Sequence, residues 1–186
     1  MKNRVLLAAG LFVALAWAGG AVAAAQTAEQ TPASLFEDRA REYSLLRERL
    51  EDELPKLPKE ATPEQIEAHK KAFRERVRAE RADAKAGQLF TPEVAAHIRT
   101  IVRQTFDGKD RAELRQTILE AENKGIAVRV NHTYPEAKEL VEMPPPLLLA
   151  LPQLPKQLRY RFVGQYLLLV DRENGLIVDY MSNALP

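Results

Sequence analysis

The chain has 186 residues, with 27 Lys and Arg against 26 Asp and Glu, no cysteine, 46% hydrophobic and 28% charged residues. That composition excludes a collagen-like, disulfide-stapled or wholly disordered protein. A net charge of +1 lacks the basic excess of a polyanion binder, so no nucleic acid is expected as a partner.

Residues 1–25 read as a cleavable export signal. Lys2 and Arg4 form a cationic start, residues 5–18 are apolar, Gly19-Gly20 interrupt the run, and the small residues at 21–25 suit a signal peptidase. An uncleaved anchor is the alternative, because residues 5–28 carry no charge and could span a bilayer. This segment is the one expected membrane contact. The absence of cysteine rules out N-terminal lipidation, and the single Arg4 argues against a twin-arginine route. Lys2 and Arg4 leave with the signal and no acid does, so 25 basic and 26 acidic residues remain. The remaining chain of about 161 residues suffices for one domain that buries roughly 70% of its unfolded surface.

Charge then divides the chain. Residues 26–125 hold 19 basic and 20 acidic side chains, whereas 126–186 hold 6 and 6. The first part is expected to be helical. Thr-Pro pairs at 31–32, 62–63 and 91–92 each precede a helical pattern, with threonine as cap and proline as first helical residue. Thr62 with Gln65 has the spacing of a capping box, and Asp110 with Glu113 resembles it. Gly87, Gly108 and Gly125 stand where helices would end. The first helix, 31–54, aligns Leu35, Phe36, Tyr43, Leu46, Leu50 and Leu54 along one stripe. The second, 62–86, has a thinner stripe of Ile66, His69, Phe73 and Val77, and the short link makes an antiparallel hairpin of the two. Helices at 91–107 (Val94, Ile98, Ile101, Val102, Phe106) and 110–123 (Leu114, Ile118) complete this part.

Residues 126–186 are expected to form a small antiparallel sheet, giving an α+β fold in which both parts pack as one domain. Ile126, Val128 and Val130 alternate with polar or small residues, as in a half-buried strand. The connector 144–155 holds Pro144, Pro145 and Pro146, which exclude a central strand and suit a one-turn helix or a polyproline stretch. Three strands follow. A Gly164-Gln165 loop pairs Val163 with Tyr166 and Tyr160 with Leu169, and a 172–175 loop pairs Asp171 with Leu176 and Val178 with Leu169. On that register Leu158, Tyr160, Phe162, Leu167, Leu169, Leu176, Val178 and Tyr180 share the core face, while Arg159, Arg161, Leu168, Asp179 and Met181 are among those turned away.

The segment Leu154-Pro155-Lys156-Gln157-Leu158-Arg159-Tyr160-Arg161-Phe162-Val163-Gly164, with Leu167-Leu168-Leu169-Val170-Asp171 and Leu176-Ile177-Val178-Asp179-Tyr180, resembles the C-terminal hairpin of small exported bacterial proteins of unknown function. The likeness extends back through Phe90-Thr91-Pro92-Glu93-Val94-Ala95-Ala96. More loosely, the hairpin is similar to the tail of periplasmic nickel and cobalt homeostasis proteins, although this chain has no histidine-rich tract. The resemblance implies a periplasmic address in the bacterial envelope, with secretion as an alternative, and no established activity.

Candidate chemistry is sparse. Arg161 and Asp179 flank Leu168 across the expected sheet, where an ion pair is the plain reading and a binding role the sharper one. His132, at the end of the 126–130 strand, is the other binding candidate. His69, His97 and His132 are scattered singly and form no ligand motif, so neither a metal nor another cofactor is expected. Ser34, Ser44 and Ser182 stand on no nucleophile elbow, and no catalytic residue is assigned. The basic run from Lys70 to Lys85 is interleaved with Glu75, Glu80 and Asp83, leaving contact with anionic lipid as a weaker alternative. The expected role is therefore a non-catalytic binding or interaction module whose partner is an envelope protein or polymer. The alternatives are a small envelope hydrolase using carboxylates, with Asp179 as one of them, and a periplasmic metal-homeostasis protein. A chaperone-like version of the binding role requires Leu50, Phe73 and Val77 on the surface.

Overall fold

The computed structural model describes residues 30–105, 108–120, 126–134 and 143–185. The expected signal, Phe106 and Gly125 lie outside these residues. Among the described residues, helices α1 (Pro32–Asp52), α2 (Pro63–Glu80), α3 (Pro92–Thr105), α4 (Gly108–Glu120) and α5 (Pro145–Ala150) precede strands β1 (Leu158–Val163), β2 (Tyr166–Asp171) and β3 (Ile177–Met181). The strands form one antiparallel sheet in the order β1-β2-β3, so the fold is α+β. No helix among the described residues is long and apolar enough to cross a membrane.

The three Thr-Pro pairs start helices for the reason their chemistry suggests. Thr31 Oγ1 accepts from the Ser34 N–H at 3.1 Å, and Thr91 Oγ1 from the Val94 N–H at 3.4 Å. Thr62 completes a capping box, its N–H donating to Gln65 Oε1 at 2.8 Å while its Oγ1 accepts from the Gln65 N–H at 3.3 Å. Each proline then fills a position whose N–H would have no acceptor inside the helix. Helix ends are less faithful to the glycines. Helix α2 stops at Glu80 rather than near 86, so Gly87 falls within the following loop, in the left-handed region at φ +86°. Gly108 opens α4 instead of closing α3.

Helix α1 buries Phe36, Ala40, Tyr43 and Leu50, with Ser44 and Arg47 on the same face. Leu46 and Leu54 are only partly buried against it. Phe73 and Val77 of α2 and Val94, Ile98 and Val102 of α3 join the same core, together with Leu158, Tyr160, Phe162, Leu167, Leu169, Leu176 and Val178 from one face of the sheet. Ile66 is exposed, so the α2 stripe is shorter than its sequence pattern. Leu50, Phe73 and Val77 are all buried, which removes the surface that the chaperone-like reading required.

Strands β1 and β2 pair in the expected register, Val163 opposite Tyr166 and Tyr160 opposite Leu169. The β2–β3 pair begins as expected, with the Asp171 N–H donating to Leu176 O and Val170 opposite Ile177. It then departs. An irregularity between Leu169 and Val170 places Leu169 opposite Asp179, Leu168 opposite Tyr180 and Leu167 opposite Met181. Val178 is the extra residue of a β-bulge, a device that turns two consecutive side chains to one side. Asp179 and Met181 therefore face the helices and Tyr180 faces away, the reverse of the sequence expectation. The apolar pattern misses this because it assumes strict alternation, whereas an aspartate on the core face is matched by amide donors from another segment.

The fourth strand expected over 126–130 does not form. Residues 126–134 instead lie over the outer sheet face, where Tyr134 packs with Val163, Leu168, Val170 and Ile177, and Ile126 and Val128 are partly buried. Their tie to β3 is a single bridge, Thr133 to Leu176, with the Asn131 N–H donating to Ile177 O and the Ile177 N–H to His132 O, both at 2.9 Å. The connector forms the short helix α5 and then an extended strap. That strap is fastened at Pro152 O, which accepts from Tyr160 Oη at 2.9 Å, and at the Gln153 N–H, which donates to Glu37 Oε1 at 2.8 Å.

Phe36 joins these layers, its ring centroid lying 5.1 Å from that of Phe90 and 6.1 Å from that of Tyr160. Phe36→Ala is expected to lower stability by about 3–5 kcal/mol, measured by urea unfolding. A loss below about 1 kcal/mol, the range of surface changes, would contradict this placement of the core.

Candidate functional site

Two buried carboxylates hold the helices to the sheet. Asp171, at the end of β2, is fully buried. Its Oδ2 accepts from Tyr43 Oη at 2.9 Å, Arg47 Nε at 3.1 Å and Asn174 Nδ2 at 3.1 Å. Its Oδ1 accepts from the Glu173 and Asn174 N–H groups at 3.0 and 3.3 Å. Arg47 also pairs with Glu173 and, at 3.2 Å, with Glu51, and its guanidinium lies over the Phe73 ring at 5.0 Å. Burial works against the Arg47 charge, but Asp171, Glu173 and Glu51 outweigh it and hold the group above its ordinary range. Burial and the Asp171 charge push the Tyr43 hydroxyl well up, so it stays a neutral donor.

Asp179 forms the second centre. Its Oδ1 accepts from the Gly87 and Tyr180 N–H groups, each at 2.8 Å, and its Oδ2 from the Leu89 and Phe90 N–H groups at 2.7 and 2.9 Å. Gly87 reaches this position through its left-handed φ of +86°. Arg81 closes the neighbourhood, donating to Val178 O at 2.9 Å and to Asn131 Oδ1 at 3.3 Å, with its guanidinium 5.0 Å from the Tyr43 ring centroid. Burial lowers the Arg81 pKa, a shift opposed by the charge of Asp179.

The sequence candidates separate accordingly. Asp179 does not meet Arg161 across Leu168, because the bulge turns it to the helices. Its lone pairs are directed at backbone donors, which leaves it unable to take a proton from a substrate without breaking the loop it holds. His132 is exposed beside Asn131, and its backbone carries the tie to Ile177. Among the described residues, no three His, Asp or Glu side chains converge to hold a metal ion.

Arg161 instead lies on a cleft of about 480 Å³ between β1, the 152–156 strap and α5. Lys156, Arg159, Arg161 and Arg172 supply its charge, and no acidic residue appears among its described lining residues. Met143, Leu148 and Leu154 supply an apolar side. Arg172 is anchored by its Nε, which donates to Leu158 O at 3.0 Å, and Arg161 by a bond to Tyr160 O at 3.1 Å. Arg159 Nε is buried without a hydrogen-bond acceptor among the described residues. The sequence alternation placed Arg159 and Arg161 on one strand face, but Lys156 and Arg172 come to the same cleft only through the strap and the β2–β3 turn. Arg47 could have been suspected, since it stands four residues after Tyr43 and three before Leu50, within the apolar stripe.

Comparison with protein-family models, with curated proteins and with solved structures finds no match for this chain. The reading of function therefore rests on the residues and their arrangement.

Three outcomes follow from the buried centres. Arg47→Met strands the Asp171 charge and is expected to cost about 3–5 kcal/mol in urea unfolding, with part recovered when Asp171→Asn is added. Asp179→Asn replaces one accepting oxygen by a donor facing N–H groups and is expected to cost about 1–3 kcal/mol. Hydrogen exchange should then accelerate selectively at Gly87, Leu89 and Phe90, and unchanged protection there would count against the carboxylate as the clamp of this loop. Burial, followed by the Glu173 charge, raises the Glu51 carboxyl above its ordinary 4.5, against the pull of Arg47. The folded state thus binds this proton more tightly, a contribution present at low pH and lost as pH rises through the folded-state value. Glu51→Gln should make the fall of stability as pH rises above the ordinary 4.5 shallower, and an unchanged slope would remove Glu51 from that linkage.

Proposed function

We infer that this protein is a non-catalytic binding module that works in the bacterial envelope after export, with the cationic cleft as its ligand site. The address is supported by the charged, apolar and small-residue succession of positions 1–25 and by the hairpin resemblance. The observation that carries the binding role is the cleft itself, where Lys156, Arg159, Arg161 and Arg172 converge without an acidic residue among the described lining. Such an arrangement of like charges is favourable to an anion that enters it, because Lys156, Arg159 and Arg172 raise the local potential and the low-dielectric walls limit screening. Its size falls within the ordinary range of small-molecule sites.

A carboxylate hydrolase gains no such support. Asp171 and Asp179 are buried and spent on hydrogen bonds that join the helices to the sheet. Anionic small molecules such as citrate and phosphate are expected to raise the melting temperature of the purified protein in proportion to concentration, whereas cationic and neutral compounds of similar size leave it unchanged. The shift should shrink in Arg159→Gln/Arg172→Gln. Equal shifts from neutral and anionic compounds would overturn the reading.

A further inference from the structure

The cleft is not uniformly polar. Arg159 and Arg172 stand on the strand side, whereas Met143, Leu148 and Leu154 line the side formed by α5 and the strap. Leu148 leaves 51% of its surface exposed, so the short helix presents leucine to solvent at this rim. Pro152 and Pro155 in the strap add further apolar surface and stiffen it. A bare carboxylate or phosphate would engage the cations and leave this side wet. A volume of about 480 Å³ also accommodates far more than one such ion.

We propose that the ligand is an amphiphilic anion, a single carboxylate or phosphate head on a flexible apolar chain, bound with its head at Arg159, Arg172 and Lys156 and its chain along Met143, Leu148 and Leu154. This rests on the reading of the cleft as an anion site and names the class of anion. Two independent features support it. The Nε of Arg159 is buried without a hydrogen-bond acceptor among the described residues, a state that is rare for a buried donor and is relieved by an anionic oxygen. The leucine rim faces solvent directly beside that charge, and burying it requires an apolar group tethered to the anion. The ligand enters as a monomer, because the apolar side is part of a cleft and not of a flat face.

Isothermal titration of the full protein with octyl phosphate, inorganic phosphate and octanol separates the terms. Octyl phosphate is expected to bind on the order of 100-fold more tightly than inorganic phosphate, since each pair of buried methylenes is worth about tenfold and about half of the octyl chain lies against the leucine side of the cleft. Octanol should bind far more weakly than octyl phosphate. Leu148→Gln, at an exposed position, should lower the ratio of octyl phosphate affinity to phosphate affinity. Arg159→Gln/Arg172→Gln, checked for folding by circular dichroism, should weaken both anions. Equal affinities for octyl phosphate and inorganic phosphate would overturn the amphiphile and leave the anion site standing. Failure of both anions to bind, or octanol binding as tightly as octyl phosphate, would overturn both. Binding to vesicles of anionic lipid without binding to monomeric octyl phosphate would replace a small ligand by a membrane surface.

Discussion

The ion pair between Arg47 and Asp171 fastens the helical part to the sheet, and much of the architecture is arranged around it. Neither charge could be buried alone at acceptable cost. Each is accordingly surrounded by partners, Asp171 by the Tyr43 hydroxyl and the turn amides and Arg47 by Glu173, Glu51 and the Phe73 ring. Because these partners come from α1, α2 and the β2–β3 turn, the pair requires all three to be in place together. Burial of Phe73 and Leu50 beside it is then a condition of its strength as well as a source of stability.

Asp179 performs a related task with different means. It has no ion pair with Arg161, and the amides of Gly87, Leu89 and Phe90 serve in place of a cation. The β-bulge at Val178 makes that possible by turning Asp179 inward at the point where the 81–91 loop passes the sheet. Both acids are thus structural, which concentrates any functional reading on the cationic cleft at the opposite edge, along β1.

Much of the fold was legible in the sequence. The three threonine caps, the order of helices before strands and the β1–β2 register all depend on local chemistry within a few residues, whereas the prolines of the connector left a one-turn helix and a polyproline stretch both open. What was not legible depends on partners far along the chain. Alternation predicts the face of Asp179 only if the strand is regular, and the bulge is stabilised by amides some 90 residues earlier. The 126–130 segment has a strand's pattern because its apolar side chains cover the outer sheet face, and periodicity cannot distinguish covering a sheet from joining one. Of the site, Arg161 was singled out for its neighbour Asp179, which proved to be elsewhere, yet it belongs to the cleft. His132 is exposed, and its main-chain carbonyl ties the 126–134 segment to Ile177.

The two-residue loop at Gly164-Gln165 brings β1 and β2 together with almost no chain to close, whereas Tyr43 and Asp171 are separated by 128 positions. Loop-closure entropy therefore orders assembly, with the hairpin free to form early and the buried ion pair only after the helical part has docked. Until that docking, the face carrying Leu158, Leu167 and Leu169 has no cover. The interval between hairpin formation and helix docking is therefore the period of greatest exposure to aggregation.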